Sequence, residues 1–244
     1  MGYNERDRGR SMEIRILQLL DGARQARGLT VIIDVFRAFS LEAYLYGQGA
    51  ECTLPVSSLE QAYELKKAHP EYLLAGERKG AICPGFDFGN SPSAIAGRDF
   101  SGKTVVHTTS AGTQGVAAAS GADEILGGAL VNAEATARYI ISRHPEEVSL
   151  VCMGWEGLKK TEEDLLCAEY LRALLQGRPM PDLDQRCEQL RYQEGRKFFD
   201  PAQASVFPEA DFWMCIRHDI FPFAIQIGQK DGLFSTARVE VRDD

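Results

Sequence analysis

Short apolar, β-branched runs alternate with amphipathic stretches along most of this chain. The run LTVIID (29–34) is apolar almost without a break, which predicts a strand covered on both faces. Residues 38–48 then read as a helix closed by Gly49, and ECTLPV (51–56) as a second strand. Ser57 and Glu60 have the spacing of a capping box, opening a helix that stops at His69-Pro70. YLLAGE (72–77) is the next strand. After an aperiodic stretch over 78–103, the alternation resumes with TVVHTT (104–109), a small-residue helix over 113–120, a strand near EILGG, a helix over 132–144 and the buried strand VSLVCMG (148–154). Leu165, Leu166, Tyr170, Leu171, Leu174 and Leu175 share one helical face over 162–176, with Gly177 closing that helix. Beyond Pro179 the pattern is weaker, although FAIQIGQKDGLFSTARVEV reads as a hairpin turning at Asp231-Gly232.

Strands alternating with helices predict an α/β fold: three layers, α/β/α, around a largely parallel sheet, with a C-terminal β-hairpin. A chain of 244 residues permits one such body or two closely joined lobes. Residues 12–244 are expected to form a single catalytic unit, with a candidate internal boundary near 178. Residues 1–11 are polar and aperiodic and read as a disordered leader or an expression scar, with Met12 a second plausible start.

Charge narrows the partners. Lys and Arg total 27 against 35 Asp and Glu, a net charge of -8, which argues against broad attraction to nucleic acid or anionic lipid while leaving room for a local basic cleft. No apolar stretch reaches the ~20 residues of a membrane span. The six cysteines include no C-x-x-C pair and read as reduced thiols of a cytoplasmic protein. A homodimer is compatible with the sequence but is not indicated by it.

The distinctive polar residues fall just after strands, where open α/β sheets place their ligand crevice. Asp34, at the end of an apolar run, is a metal ligand or nucleophile, or else a cap for the next helix. Arg37 either grips a phosphate or sulfonate with its planar fork or forms a salt bridge to Asp34. TTSAGT (108–113) places hydroxyls and a glycine at a helix start, which binds an anion or simply caps. His107 reads as a satisfied core histidine, and Cys152 and Cys167 as small buried hydrophobes. Glu163 and Asp164 suit the positive end of a helix; were they to reach the crevice beside Asp34 and Glu77, the oxygen-rich set would suit Mg2+.

Taken in order, VIIDVFRAFS, LAGERKG, GFDFGNSP, TTSAGT and C-x-G-x8-E-D-x2-C (152–167) resemble the successive motifs of the 2-phosphosulfolactate phosphatase family of the coenzyme M pathway. The resemblance runs from about residue 23 to 167 and thins to DFWMCIRHD (211–219) beyond 180. It implies Mg2+-dependent hydrolysis of 2-phospho-3-sulfolactate, a small phosphate and sulfonate anion, to sulfolactate and phosphate. It also implies catalytic roles for Asp34, Arg37 and Glu77, and substrate contacts from Arg78, Asn90, Ser91, Thr109, Ser110, Gly112 and Thr113. The metal would lie on Asp34, Asp87, Glu163 and Asp164. Where many relatives carry Asn, this chain has Ala111, which removes one amide contact. Two other classes fit parts of the pattern. An isochorismatase-like cysteine hydrolase would use Cys152 but lacks a matching Lys, and a non-catalytic protein would bind a small anion without turnover. A haloacid-dehalogenase phosphatase would need Asp where residue 36 is Phe.

Overall fold

The apolar runs pair into one ten-stranded mixed sheet in the computed structural model, which describes residues 12–230 and 232–241. The expected leader over 1–11 and Asp231 of the hairpin turn lie outside the described residues. In chain order the principal elements are β1 (Glu13–Gln18), α1 (Leu19–Gln25), β2 (Gly28–Ile33), α2 (Ala38–Gly47), β3 (Cys52–Pro55), α3 (Leu59–Ala68), β4 (Leu73–Arg78), β5 (Ala81–Ile82), α4 (Pro92–Ile95), β6 (Thr104–Thr108) and α5 (Gly112–Ala118). They continue with β7 (Ala122–Gly128), α6 (Ala133–Arg143), β8 (Glu147–Cys152), α7 (Glu162–Leu175), α8 (Leu183–Gln189), α9 (Glu209–Cys215), β9 (Phe223–Lys230) and β10 (Leu233–Glu240), with 3-10 turns between α8 and α9. Most strands and helices fall where the periodicity predicts them. The cap of α3 does not: Ser58, one residue later than expected, accepts the Gln61 N–H at 3.1 Å.

The strand order is β1-β8-β2-β7-β9-β10-β3-β6-β4-β5. Two parallel blocks, β1-β8-β2-β7 and β3-β6-β4, are joined by the antiparallel hairpin β9–β10 inserted between them. The contact of β10 with β3 is a single register pair, Thr236 with Thr53. The hairpin is therefore an internal part of the sheet.

Helix α2 explains how the two blocks face one cleft. Its residues Ala38–Ala43, Leu45 and Tyr46 are all buried, so it is enclosed on all sides rather than amphipathic. Phe39 lies against β7, where a side chain at Gly127 would come within 2.4 Å of its ring. Tyr46 Oη is 2.6 Å from Thr236 Oγ1 of β10 and accepts the Thr53 N–H of β3, and Glu42 meets His107 of β6. The sheet curls round this helix, helped by the usual strand twist. A second apolar layer packs α6, α7 and α8 on the other face of β2, β7 and β8, which completes the three layers. Among the described residues no helix is long and apolar enough to cross a membrane.

Candidate active site

The first element of the site is the end of β2. Burial drives Leu29, Val31, Ile32 and Ile33 into the sheet, so the next residue, Asp34, emerges where β2 gives way to α2. Its Oδ1 accepts the Ala38 N–H at 3.2 Å and its Oδ2 the Gly112 N–H at 2.9 Å, so one carboxylate joins the starts of α2 and α5. Gly112 permits this approach: a Cβ there would lie 2.9 Å from Ala38 Cβ and 3.0 Å from Asp34 Oδ2. Burial, reinforced by the negative charge of Glu77, raises the Asp34 pKa to about 6, although the two backbone donors oppose the rise.

Glu77, at the end of β4, faces the same space. Its Oε1 accepts the Ser110 N–H at 2.7 Å; its Oε2 accepts the Gly80 N–H at 2.6 Å and the Ser110 hydroxyl at 3.2 Å. The turn over 108–113 thus spends two of its N–H groups on the protein's own carboxylates. Thr109 and Thr113 are also turned inward, each N–H meeting the other's hydroxyl at 3.1 and 3.3 Å. Of the residues expected to contact substrate from this turn, only Ser110 lines the cleft, joined there by Ala111; Thr109, Gly112 and Thr113 hold the turn and the carboxylates.

The cleft brings together Asp34, Arg37, Glu77, Asn90 and Ser110 from four separate stretches of sequence. Arg37 is held by a partner other than the expected Asp34: its Nη1 donates to Asp211 Oδ2 and to the Val206 carbonyl, both at 2.9 Å, and its Nη2 to the Gly80 carbonyl at 3.2 Å. The Arg37–Asp211 pair is almost fully buried, and removing one member of such a pair typically costs about 3–5 kcal/mol. Asn90 Oδ1 lies 3.2 Å from His107 Nε2, and His107 Nδ1 lies 3.0 Å from Glu42 Oε1. The core histidine therefore supports a cleft residue from behind.

Several expected site residues are elsewhere. Arg78 turns along its own strand, donating to the Glu77 carbonyl at 2.7 Å and to Thr108 Oγ1 at 3.0 Å, while its neighbour Lys79 lines the cleft. Ser91 caps α4 and donates to Asp211 Oδ1 at 2.7 Å, beside the cleft rather than in it. Asp87 accepts the Leu74 N–H at 2.8 Å and lies 3.8 Å from Lys66, away from the cleft.

Asp164 accepts the Val35 and Gly154 N–H groups at 2.9 and 2.7 Å, fastening together the turns after β2 and β8. Burial, with the charges of Glu163 and Asp34, raises its pKa well above the ordinary carboxylate value. Glu163 is buried with Oε2 unpartnered, and burial raises its pKa to about 7 against the pull of Lys197. Among the described residues no three His, Cys, Asp or Glu side chains gather as a metal-ligand group, so the set Asp34, Asp87, Glu163 and Asp164 does not assemble: Asp34 and Asp164 accept backbone N–H groups, and Asp87 is held by the Leu74 N–H near Lys66.

Cys152 is buried and donates to the Asp164 carbonyl at 3.4 Å; burial holds its pKa well above the ordinary thiol value, opposite to what a thiolate nucleophile requires.

Lys79, Phe207 and Asp211 take part, and Lys197 lies against the cleft's aromatic side chains without lining it; none of the four was singled out as a site residue. Asp211 left a trace, an acid inside the otherwise largely apolar DFWMC run of α9. Lys197, in the 3-10 turn Glu194–Phe199, left none, because its neighbours have no clear periodicity. Trp155, whose place the sequence leaves open, lines the cleft with Phe36 and Phe207.

Residues 15–227 match the family model for 2-phosphosulpholactate phosphatase. A probable 2-phosphosulfolactate phosphatase of Bacillus subtilis (strain 168) is 28% identical over 214 residues, covering 86% of this chain and 92% of the relative. Proteins of the same description from Caldicellulosiruptor saccharolyticus and Deinococcus radiodurans are 40% and 39% identical over 57% and 60% of this chain; in these two the match spans only 59% and 62% of the relative's own length. With the family model spanning nearly the whole described fold, and the cleft built from the motifs that suggested the likeness, the chain belongs to the 2-phosphosulpholactate phosphatase family, a family of phosphatases.

Proposed function

We propose that the cleft hydrolyses the phosphate monoester of 2-phospho-3-sulfolactate, or of a closely similar small phosphorylated acid, to the free hydroxy acid and phosphate, with Mg2+ as cofactor. The observation that carries the reading is the pairing of Asp34 and Glu77, two buried carboxylates from the ends of β2 and β4, in one cleft with Arg37 and Lys79. Two acids in such a place repel one another, which adds to the burial that raises the Asp34 pKa. A divalent cation relieves that repulsion, and Mg2+ characteristically takes one or two carboxylates together with water and substrate phosphate. The metal site proposed is therefore Asp34 with Glu77; Asp87, Glu163 and Asp164 have other partners or positions. When bound, Mg2+ would supply charge neutralisation at the phosphoryl oxygens.

The protein's own contribution is positioning. Both Asp34 oxygens accept N–H bonds from helix starts, which steadies the carboxylate and lowers its nucleophilicity. This favours water over Asp34 as the attacking group. One P–O bond forms to the water oxygen as the ester P–O bond breaks; a cleft carboxylate accepts the water proton, and the departing alkoxide takes up a proton to become the hydroxyl of sulfolactate. Arg37 and Lys79 offset the developing negative charge. The free cysteines support a reducing, cytoplasmic setting, and the acidic chain supports a small-molecule substrate rather than nucleic acid.

The test is phosphate release from 2-phospho-3-sulfolactate, phospholactate and phosphoglycerate, with and without Mg2+. Release is expected to be fastest from phosphosulfolactate and lost after exhaustive EDTA treatment. Full turnover after that treatment overturns the metal role, and no release from any of the three overturns the reaction.

A further inference from the structure

Behind the cleft, three buried side chains from three stretches of sequence stand in a row. His107 of β6 is flanked by Glu42 of α2, whose Oε1 lies 3.0 Å from its Nδ1, and by Asn90 of the loop before α4, whose Oδ1 lies 3.2 Å from its Nε2. Of the three only Asn90 lines the cleft. Among the described residues Glu42 has no ion-pair partner besides His107, and its Oε2 accepts no hydrogen bond. A fully buried carboxylate is too costly to leave uncompensated, so the Glu42–His107 pair holds two protons between them. One lies in the bond between Nδ1 and Oε1, on whichever atom, and the other then sits on Nε2. A bare Nε2 would leave Glu42 charged and unmatched. Asp34 feels the positive charge of His107, which works against the effect of burial on its own carboxyl, so the pair lies close behind the carboxylate site.

A proton on Nε2 needs an oxygen to receive it, which turns the Asn90 carbonyl inward and leaves its NH2 group for the cleft. Among the described residues that NH2 group has no hydrogen-bond partner, and it is not one of the polar atoms sealed from solvent. The reverse orientation would put a carbonyl oxygen in the cleft, the wrong sign for an anion. We propose that His107, held by Glu42, is a positioning residue for the reaction: its Nε2–H locks the Asn90 amide so that the NH2 group donates to a phosphoryl oxygen of the substrate. The inference rests on reading the cleft as a phosphomonoester site.

The first test is the tautomer itself, read from the imidazole 15N resonances of the parent protein. His107 is the one fully buried member of the four histidines and is assigned by its slow exchange with solvent. A proton on Nε2 is expected near neutral pH; a bare Nε2 overturns the proposal whether or not any variant folds. The second test is calorimetric binding of inorganic phosphate in the presence of Mg2+ to the parent, N90A, H107F and N90A/H107F. Each single variant is expected to bind phosphate about tenfold more weakly, and the double variant no more than about twofold more weakly than N90A, because His107 acts only through Asn90. H107Q, whose amide nitrogen can take the place of Nε2, should recover part of the loss. Unchanged affinity in H107F, losses that multiply in the double variant, or a parent that binds no phosphate each overturn the proposal. A merely structural histidine would lower the unfolding midpoint by the same amount in both backgrounds and leave phosphate affinity constant. Neither test needs turnover, so both stand apart from the phosphate-release experiment.

Discussion

Asp34 carries a thermodynamic signature that separates its chemistry from its packing. Its folded-state pKa of about 6 lies above the ordinary carboxylate value, so the native protein binds the proton more tightly than the unfolded chain does. Stability contributed by this residue is therefore greatest in acid, falls as pH rises from about 4 to about 6, and stays low above that. An Asp34→Asn variant in magnesium-free buffer should lose this dependence. Its stability relative to the parent should rise by up to about 3 kcal/mol between pH ~4 and ~7, measured by urea unfolding at each pH. Turnover of phosphosulfolactate should fall by about a thousandfold or more, because Asn carries no charge to hold a cation or take a proton. A variant that keeps parental turnover, or that follows the parent's stability curve across that range, contradicts the role given to Asp34.

Between elements, the joint that matters is the start of α5 against the start of α2. Small residues let α5 lie low: a Cβ at Gly115 would come within 2.4 Å of Met153 Sδ, and Gly112 touches both Ala38 and Asp34. Gly112→Ala should therefore lift the first turn of α5 by a few tenths of an ångström and lengthen its bond to Asp34. The expected cost is about 1–3 kcal/mol of stability and about ten- to a hundredfold in kcat/KM, read from urea unfolding and steady-state kinetics. A larger loss in kcat/KM than in stability is the mark of a misplaced carboxylate. Another element works at a distance: α9 makes no claim on the chemistry, yet its Asp211 meets Arg37 and also the Ser91 and Ser93 hydroxyls at 2.7 and 2.6 Å, tying the 85–92 loop to the arginine.

At the scale of the whole molecule, His218 fastens α7 and α8 to the segment between α9 and β9. Its Nδ1 lies 2.8 Å from Asp219, its Nε2 2.9 Å from Asp184 of α8, and the Tyr170 ring of α7 packs edge-on to it; Tyr170 also donates to Asp219 at 2.6 Å. Burial disfavours the imidazolium, but the bonds and charges of Asp184 and Asp219 outweigh it and raise the His218 pKa above the ordinary value. The clasp is thus fully effective below about pH 6.5 and weakens as pH rises through the folded-state pKa. His218→Gln should cost about 0.5 kcal/mol near pH 6, a modest figure because the imidazole is partly exposed and its partner Asp184 is exposed, and the difference from the parent should shrink by about pH 9. A difference that grows with pH contradicts the clasp.

The order of strands and helices was legible because burial writes itself into local periodicity: LTVIID needs apolar residues on both faces, and the leucines of α7 need one. Asp34 and Glu77 were legible for a related reason, as charges ending apolar runs where a sheet opens. What local pattern does not encode is which side chain a charge finally meets. Arg37 reaches Asp211 across 174 positions, the hydroxyl turn spends its N–H groups on carboxylates, and Asp164 is consumed by the Val35 and Gly154 amides. Lys197 is invisible in a segment without period and meets the cleft's aromatic side chains only because three distant stretches supply them. Those pairings follow from the curl of the sheet round α2 and from a hairpin inserted at its centre. Long-range geometry of that kind is fixed by packing the whole chain, because hydrogen-bond and ion-pair energies depend on distance in space and not on separation in sequence.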